Sequence, residues 1–174
     1  MNGLPKAPDE LIRDYRRRGV LVDANLLIVY LIGVFDVRQL VNCRATKSFS
    51  RDDFRRLESF ISKFDRIITT PHVLTEVSNL AQRLPDCVAQ NFMGYFGALL
   101  EHATLKEEST AANLIAASPA FPRFGLTDVA ISFVAPGNYL VLTTDFALVG
   151  LLDSRGVDVV NFNHLRDFAP QQAP

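Results

Sequence analysis

Cysteine is nearly missing from this chain: Cys43 and Cys87 stand alone. Two isolated cysteines build neither a zinc site nor a disulfide framework, and a reducing compartment is the expected setting. Histidine is scarce too. His72, His102 and His164 lie far apart with no paired ligand spacing, so each reads as a surface or loop polar residue rather than part of a catalytic set. Neither sign of charge prevails, with 18 Lys and Arg against 19 Asp and Glu and a formal net charge of -1. Nucleic-acid-binding domains usually show as basic, so the totals do not advertise one, although neutralising a few acids with metal would leave the remainder positive. No long apolar run is present: the longest, Leu26 to Val34, is far short of the ~20 residues of a membrane span. The charged start, Met1 to Gly19, has no apolar signal-peptide core. A cytoplasmic protein with no membrane segment is expected. P-loop, G-x-G-x-x-G, H-E-x-x-H and G-x-S-x-G patterns are all missing, which removes the commonest motif-borne chemistries.

What is there suits one domain. The 174 residues are 48% hydrophobic and 21% charged, enough to build a core within an ordinary soluble composition. Residues 1–19 read as a lead-in ending in a basic helix, Glu10 to Arg18. Its Arg13, Arg16, Arg17 and Arg18 form either a solvated face or a phosphate-contacting edge. Val20 to Val22 form a first strand, followed by a helix from Ala24 to about Leu31 that Gly33 ends. Residues 36–64 carry two helical patterns, the second capped by Ser50. A β-branched strand spans residues 65–70, and Pro71 opens the next helix. Asp86 is placed to cap a helix reaching Leu100. Glu107 to Ala116 is helix-like, Ser118 to Gly125 is a loop, and a helix runs from Thr127 to Phe133. Strands at Tyr139–Thr143 and Val157–Phe162 flank a helix from Phe146 to Leu152. Residues 169–174 read as a frayed tail. Strands alternating with helices predict an α/β fold: one three-layer domain over residues 20–168, with a mainly parallel sheet of four to five strands between helices.

Four acids stand at element ends or in apolar surroundings. Asp23 follows the first strand, and Asn25 is two residues on. Glu76 lies between Val73 and Val77, one turn from Asn79 on the same helix side. Asp128 stands early in its helix. Asp145 follows Thr143 and Thr144 at the end of a strand. Each alone has a plain alternative: an N-cap for Asp23 and Asp145, an exposed polar stripe for Glu76, a helix-dipole contact for Asp128. Sites in open parallel sheets lie at the carboxyl ends of strands, where Asp23 and Asp145 fall. Four carboxylates gathered there could not all ionise without a cation. Hard oxygen donors select Mg²⁺ or Mn²⁺.

In their order and contexts, Leu21-Val22-Asp23-Ala24-Asn25, Val73-Leu74-Thr75-Glu76-Val77, Leu126-Thr127-Asp128-Val129-Ala130 and Leu142-Thr143-Thr144-Asp145 resemble the PIN-domain nucleases, over roughly residues 20–162. The resemblance implies a metal-dependent endoribonuclease. Asp23, Glu76, Asp128 and Asp145 would bind Mg²⁺ or Mn²⁺ and cut an RNA phosphodiester, with Asn25, Asn79, Thr143 and Thr144 as polar support. Many small members are VapC-type toxins, neutralised by an antitoxin protein and often homodimeric. Compact toxins are shorter between the first two acids, and the extra 36–64 segment, with Arg44, Lys47, Arg51, Arg55 and Arg56, is either a substrate-binding wall or a solvated hairpin. Two other readings stand beside this one: a non-catalytic binding module of the same fold, and a metal-dependent phosphatase on small phosphate esters.

Overall fold

The computed structural model describes residues 7–167. Residues 1–6 and the expected frayed tail, 169–174, lie outside the described residues. The elements in order are α1 (Pro8–Tyr15), β1 (Val20–Val22), α2 (Ala24–Asp36), a 3-10 helix (Val37–Asn42), α3 (Arg51–Ile61), β2 (Ile67–Thr69), α4 (Pro71–Ala81), α5 (Asp86–Glu101), β3 (Leu105–Glu107), α6 (Ala112–Ala116), α7 (Phe121–Val134), β4 (Leu140–Thr143), α8 (Phe146–Ser154), β5 (Val159–Asn161) and α9 (Phe162–Asp167). The five strands form one sheet in the order β3-β2-β1-β4-β5, and every pairing is parallel. β1 and β4 are buried along their whole length, as central strands must be when helices cover both faces.

The order has a physical consequence. The chain builds outward from β1 to β2 and β3, then returns to the other side of β1 for β4 and β5. The reversal lies between β1 and β4, where Val22 pairs with Leu142. Crevices open at such a switch point, outside the carboxyl ends of the strands.

The four expected strands are present, and the structure adds a fifth. β3 lies just before the expected helix and overlaps it only at Glu107, in a stretch where only Leu105 is apolar and buried while Lys106 and Glu107 are exposed. Pairing with β2 makes it a strand, not intrinsic propensity. The short helix in that region is α6 instead. α7 begins at Phe121, inside the expected loop, and breaks at Gly125, whose φ of 71° and ψ of -168° are not helical. Glycine adopts that conformation at little cost, so the part of α7 that carries Asp128 starts afresh there. Asp86 is the first residue of α5 rather than its cap, which is Pro85. The chain also folds a last helix, α9, where the sequence pattern shows none.

α2 is longer than expected. It passes through Gly33 and continues to Asp36, with eight of its 13 residues buried. Ala24–Asn42 is 19 residues with mean hydropathy 1.6, and among the described residues it is the one helical stretch long and apolar enough to cross a membrane. Here it is the central helix of the core, packed on the 3-10 helix, α3, α4 and α5. Gly33 sits inside it because Phe54 of α3 occupies the place of a side chain: a Cβ there would lie 2.2 Å from the ring. Gly33→Ala is therefore expected to destabilise the fold by about 1–3 kcal/mol through overpacking, seen as a lower denaturation midpoint in urea at unchanged slope.

The same contact defines the 36–64 segment. Its first helical pattern is a 3-10 helix rather than an α-helix, and Phe54, Leu57, Phe60 and Ile61 of α3 are buried. Ser50 caps α3 in a reciprocal capping box with Asp53. Arg166 of α9 donates to both Asp53 oxygens, at 3.0 and 3.1 Å. Arg56 donates to the carbonyls of Leu165 and Arg166, and Arg55 pairs with Asp52 at 3.0 Å. Of the five basic residues named above, Arg55 and Arg56 thus have partners within the fold, while Arg44, Lys47 and Arg51 remain exposed.

Candidate functional site

Asp23 is buried, with 4% of its surface exposed. Its backbone N–H donates to the carbonyl of Leu142, at 3.0 Å, which ties the end of β1 to β4. Its side chain makes no capping bond to α2. Instead Oδ2 accepts from the Thr143 hydroxyl at 2.9 Å. The same Thr143 oxygen accepts from the backbone N–H of Asp145 at 3.0 Å. One hydroxyl therefore joins the first and last acids across the switch point.

Asp145 does act as a cap. Its Oδ1 accepts from the Ala147 and Leu148 N–H groups at 2.6 and 3.2 Å, which fixes the carboxylate at the head of α8. Glu76 is half-buried on α4, beside exposed Asn79. Both line a cavity of about 300 Å³ with His72, Thr75, Leu126 and Thr127, between α4 and the part of α7 leading to Asp128. Asp128 is half-buried. Ser132, one turn on, is pinned by Arg155, just past the end of α8, whose Nη1 donates to its hydroxyl at 2.8 Å. Arg155 also donates to Ser118 before α7 at 3.1 Å, so it ties this helix to the end of α8.

The electrostatics join the four acids. Burial pushes the Asp23 carboxyl up most, the Thr143 and Ala24 hydrogen bonds pull it down, and the charges of Glu76 and Asp145 raise it again, to about 6. Asp128 is raised to about 7, first by burial and then by Asp23, Asp145 and Glu76. Every charge acting on Asp128 is thus one of the other three acids. Among the described residues none of the four forms an ion pair with a Lys, Arg or His. Of the four, Glu76 lines the cavity, and among the described residues no three His, Cys, Asp or Glu side chains stand close enough to form a ready-made metal cluster.

The donor set fits a hard divalent cation in its chemistry: four carboxylates with uncompensated charge and no thiolate or imidazole cluster. Buried polar atoms without partners also lie at this end of the sheet. The buried side-chain atoms without a hydrogen-bond partner among the described residues are Thr69 Oγ1, His72 Nδ1 and Asn161 Nδ2. All three residues lie at or just past the carboxyl ends of β2 and β5. Orphan polar atoms are rare in native interiors, and here they gather at the acidic end.

The supporting residues divide. Thr143 is built into the site. Asn79 shares the Glu76 cavity. Asn25 is exposed on the first turn of α2, and Thr144 offers its carbonyl to Asn163 Nδ2 at 3.0 Å. His72, read from sequence as a surface polar residue, is half-buried in the cavity wall. Its place near the start of the Glu76 helix, four residues before Glu76 on the same face, marks it in the sequence as the histidine nearest the acids. No Lys or Arg lines this cavity, so the arginines of residues 13–18 do not flank it. They precede β1, at the opposite end of the sheet. No family model matches the chain, and no curated protein matches it.

Proposed function

We propose that this protein is a Mg²⁺- or Mn²⁺-dependent endoribonuclease of the PIN-domain type. The observation that supports the reading is the charge coupling by which Glu76 and Asp145 act on Asp23, and these three act on Asp128. The four acids come from four separate elements of a parallel-sheet fold, Asp23 and Asp145 at the switch point, and among the described residues none of the four pairs with a Lys, Arg or His. A purely structural role does not account for burying Asp23 or for raising Asp128, since both arrangements oppose folding at neutral pH.

In this reading the four carboxylates hold the metal, directly or through water. Thr143 orients Asp23, and the α8 amides hold Asp145 in place. Bound there, the ion would lower the pKa of a water and stabilise the charge on the phosphoryl and leaving oxygens of an in-line displacement. Asn79 and His72 sit where they can contact the substrate strand beside Glu76. The same reading carries a cytoplasmic setting and, by resemblance, an antitoxin partner and a homodimer.

The test is cleavage of a labelled structured RNA pool with Mn²⁺, with Mg²⁺ and with EDTA. Cutting that requires metal sustains the proposal. Hydrolysis of nitrophenyl phosphate with intact RNA would transfer the site to the phosphatase reading. A folded protein that cuts neither substrate, and whose melting temperature ignores Mn²⁺, would be the binding module.

A further inference from the structure

We propose that the amino-terminal end of the sheet is a second RNA-contacting surface, independent of metal, in which Arg17, Arg18 and Arg66 take the phosphate backbone. The choice of RNA over other polyanions rests on the nuclease reading above. In a parallel sheet every strand presents its start at one end. Arg17 and Arg18 precede β1, Arg66 precedes β2, and Gly137, Asn138 and Tyr139 precede β4. These residues, with Lys106 of β3, line a cavity of about 320 Å³. A second cavity of about 610 Å³ shares Arg17 and Arg18 and adds Arg13, Asp14, Arg16 and Asp65. Together the two hold six basic side chains and two acidic ones.

Part of that charge is spent internally. Arg13 lies 3.8 Å from Asp14, Arg16 lies 3.6 Å from Asp65, and Lys106 pairs with Glu108 at 2.7 Å. The remaining cations differ. Arg17 and Arg66 are exposed and have no ion pair among the described residues. Arg18 is positioned by neutral groups: its Nη1 donates to the Gly137 carbonyl at 3.1 Å, and its guanidinium lies 5.4 Å from the Tyr15 ring centroid. A guanidinium held by a carbonyl and an aromatic face keeps its full charge and leaves donors of its fork free. A merely solvated face needs no such fixing.

The polarity explains why a second surface is useful. A polyanion is repelled by four carboxylates until metal arrives, and the cavity beside Glu76 offers no basic side chain. Attraction has to come from elsewhere on the molecule. The strands are three or four residues long, so the sheet is only ~10–13 Å from end to end at ~3.3 Å per residue. An RNA of ordinary length can touch both ends. Contacts of this kind position the strand without reading its sequence.

The experiment is fluorescence anisotropy of a labelled RNA of about 20 nucleotides with the full chain in EDTA, where cleavage cannot interfere. The double variant Arg17→Glu/Arg66→Glu changes two exposed side chains and should stay folded by circular dichroism. It is expected to bind at least ~10-fold more weakly at low salt. The slope of log affinity against log salt should become shallower by about 1.4, for two phosphate contacts at ~0.7 each. Asp128→Asn, at the other end, should bind as tightly as the wild type or more tightly. Unchanged RNA affinity in the double variant overturns the inference. So does a variant that loses binding to phosphatidylserine vesicles while keeping RNA, because the surface then serves a membrane. Metal-dependent cleavage with unaltered binding removes this inference alone. Binding lost in the double variant, from a protein that never cleaves, keeps the surface and removes the nuclease.

Discussion

Asp128→Asn abolishes metal-dependent RNA cleavage and leaves a protein that is more stable without metal than the wild type. Both halves of this expected result follow from one geometry. Altering a partner that merely orients a metal ligand costs ~10–100-fold in affinity or activity. A group that itself holds the ion costs no less, so cleavage should fall by at least ~100-fold. The same carboxylate opposes folding at neutral pH, because burial and three like charges act on it. Asparagine keeps the size and removes the charge. A thermal melt in EDTA at pH 8 should therefore place the variant above the wild type, and added Mn²⁺ should raise the wild type more than the variant. A variant that is inactive but less stable would mean that Asp128 serves the fold, and the nuclease reading would lose its main support.

The second large effect is on pH. In the metal-free protein Asp23 and Asp128 titrate near 6 and 7, well above an unfolded aspartate at ~3.9. Below about pH 4 both states are protonated and the groups contribute nothing. Between about pH 4 and 7 the native state binds more protons than the unfolded one, so stability falls as pH rises; above 7 it levels off. Asp128 is open to water on one side, which discounts its share. The melting temperature in EDTA should drop by roughly 5–10 °C from pH 5 to pH 8, at ~2–4 °C per kcal/mol for a chain of this size. Saturating Mg²⁺ or Mn²⁺ should flatten the curve at the upper end, since a ligand of the charged form stabilises the native state. The double variant Asp23→Asn/Asp128→Asn serves as the reference. If its slope matches that of the wild type, other groups cause the dependence.

Much of this site is legible in the residues themselves. An apolar strand ending in an acid marks Asp23 and Asp145, and the alternation of strand and helix predicts the parallel sheet. The two aspartates nonetheless behave differently. Asp145 caps its helix, as the local sequence suggests. Asp23 has the same local setting but turns to the Thr143 hydroxyl, 120 residues away. Only tertiary structure separates the two. Glycine misleads in the same way: Gly33 reads as a helix end, yet α2 continues because Phe54 fills the space beside it. β3 is invisible in the sequence because its pairing partner, not its own residues, makes it a strand. The arginines of residues 13–18 are legible as charge, but their end of the sheet is not, since that depends on strand direction. The family resemblance, the metal and the RNA rest on residue order and pocket chemistry together, and metal-dependent cleavage decides them.

The bond between Thr143 and Asp23 has one more consequence, for the order in which the acids are assembled. β1, at the centre of the sheet, must wait for β4 before its second edge is paired. Pairings this distant in sequence close slowly, because the loop entropy is lost before the contacts form. During synthesis, a chain that has not reached residue 143 has three of its acids at most and lacks the hydroxyl that orients the first. The four acids are thus brought together only after β4 has been made and has paired with β1.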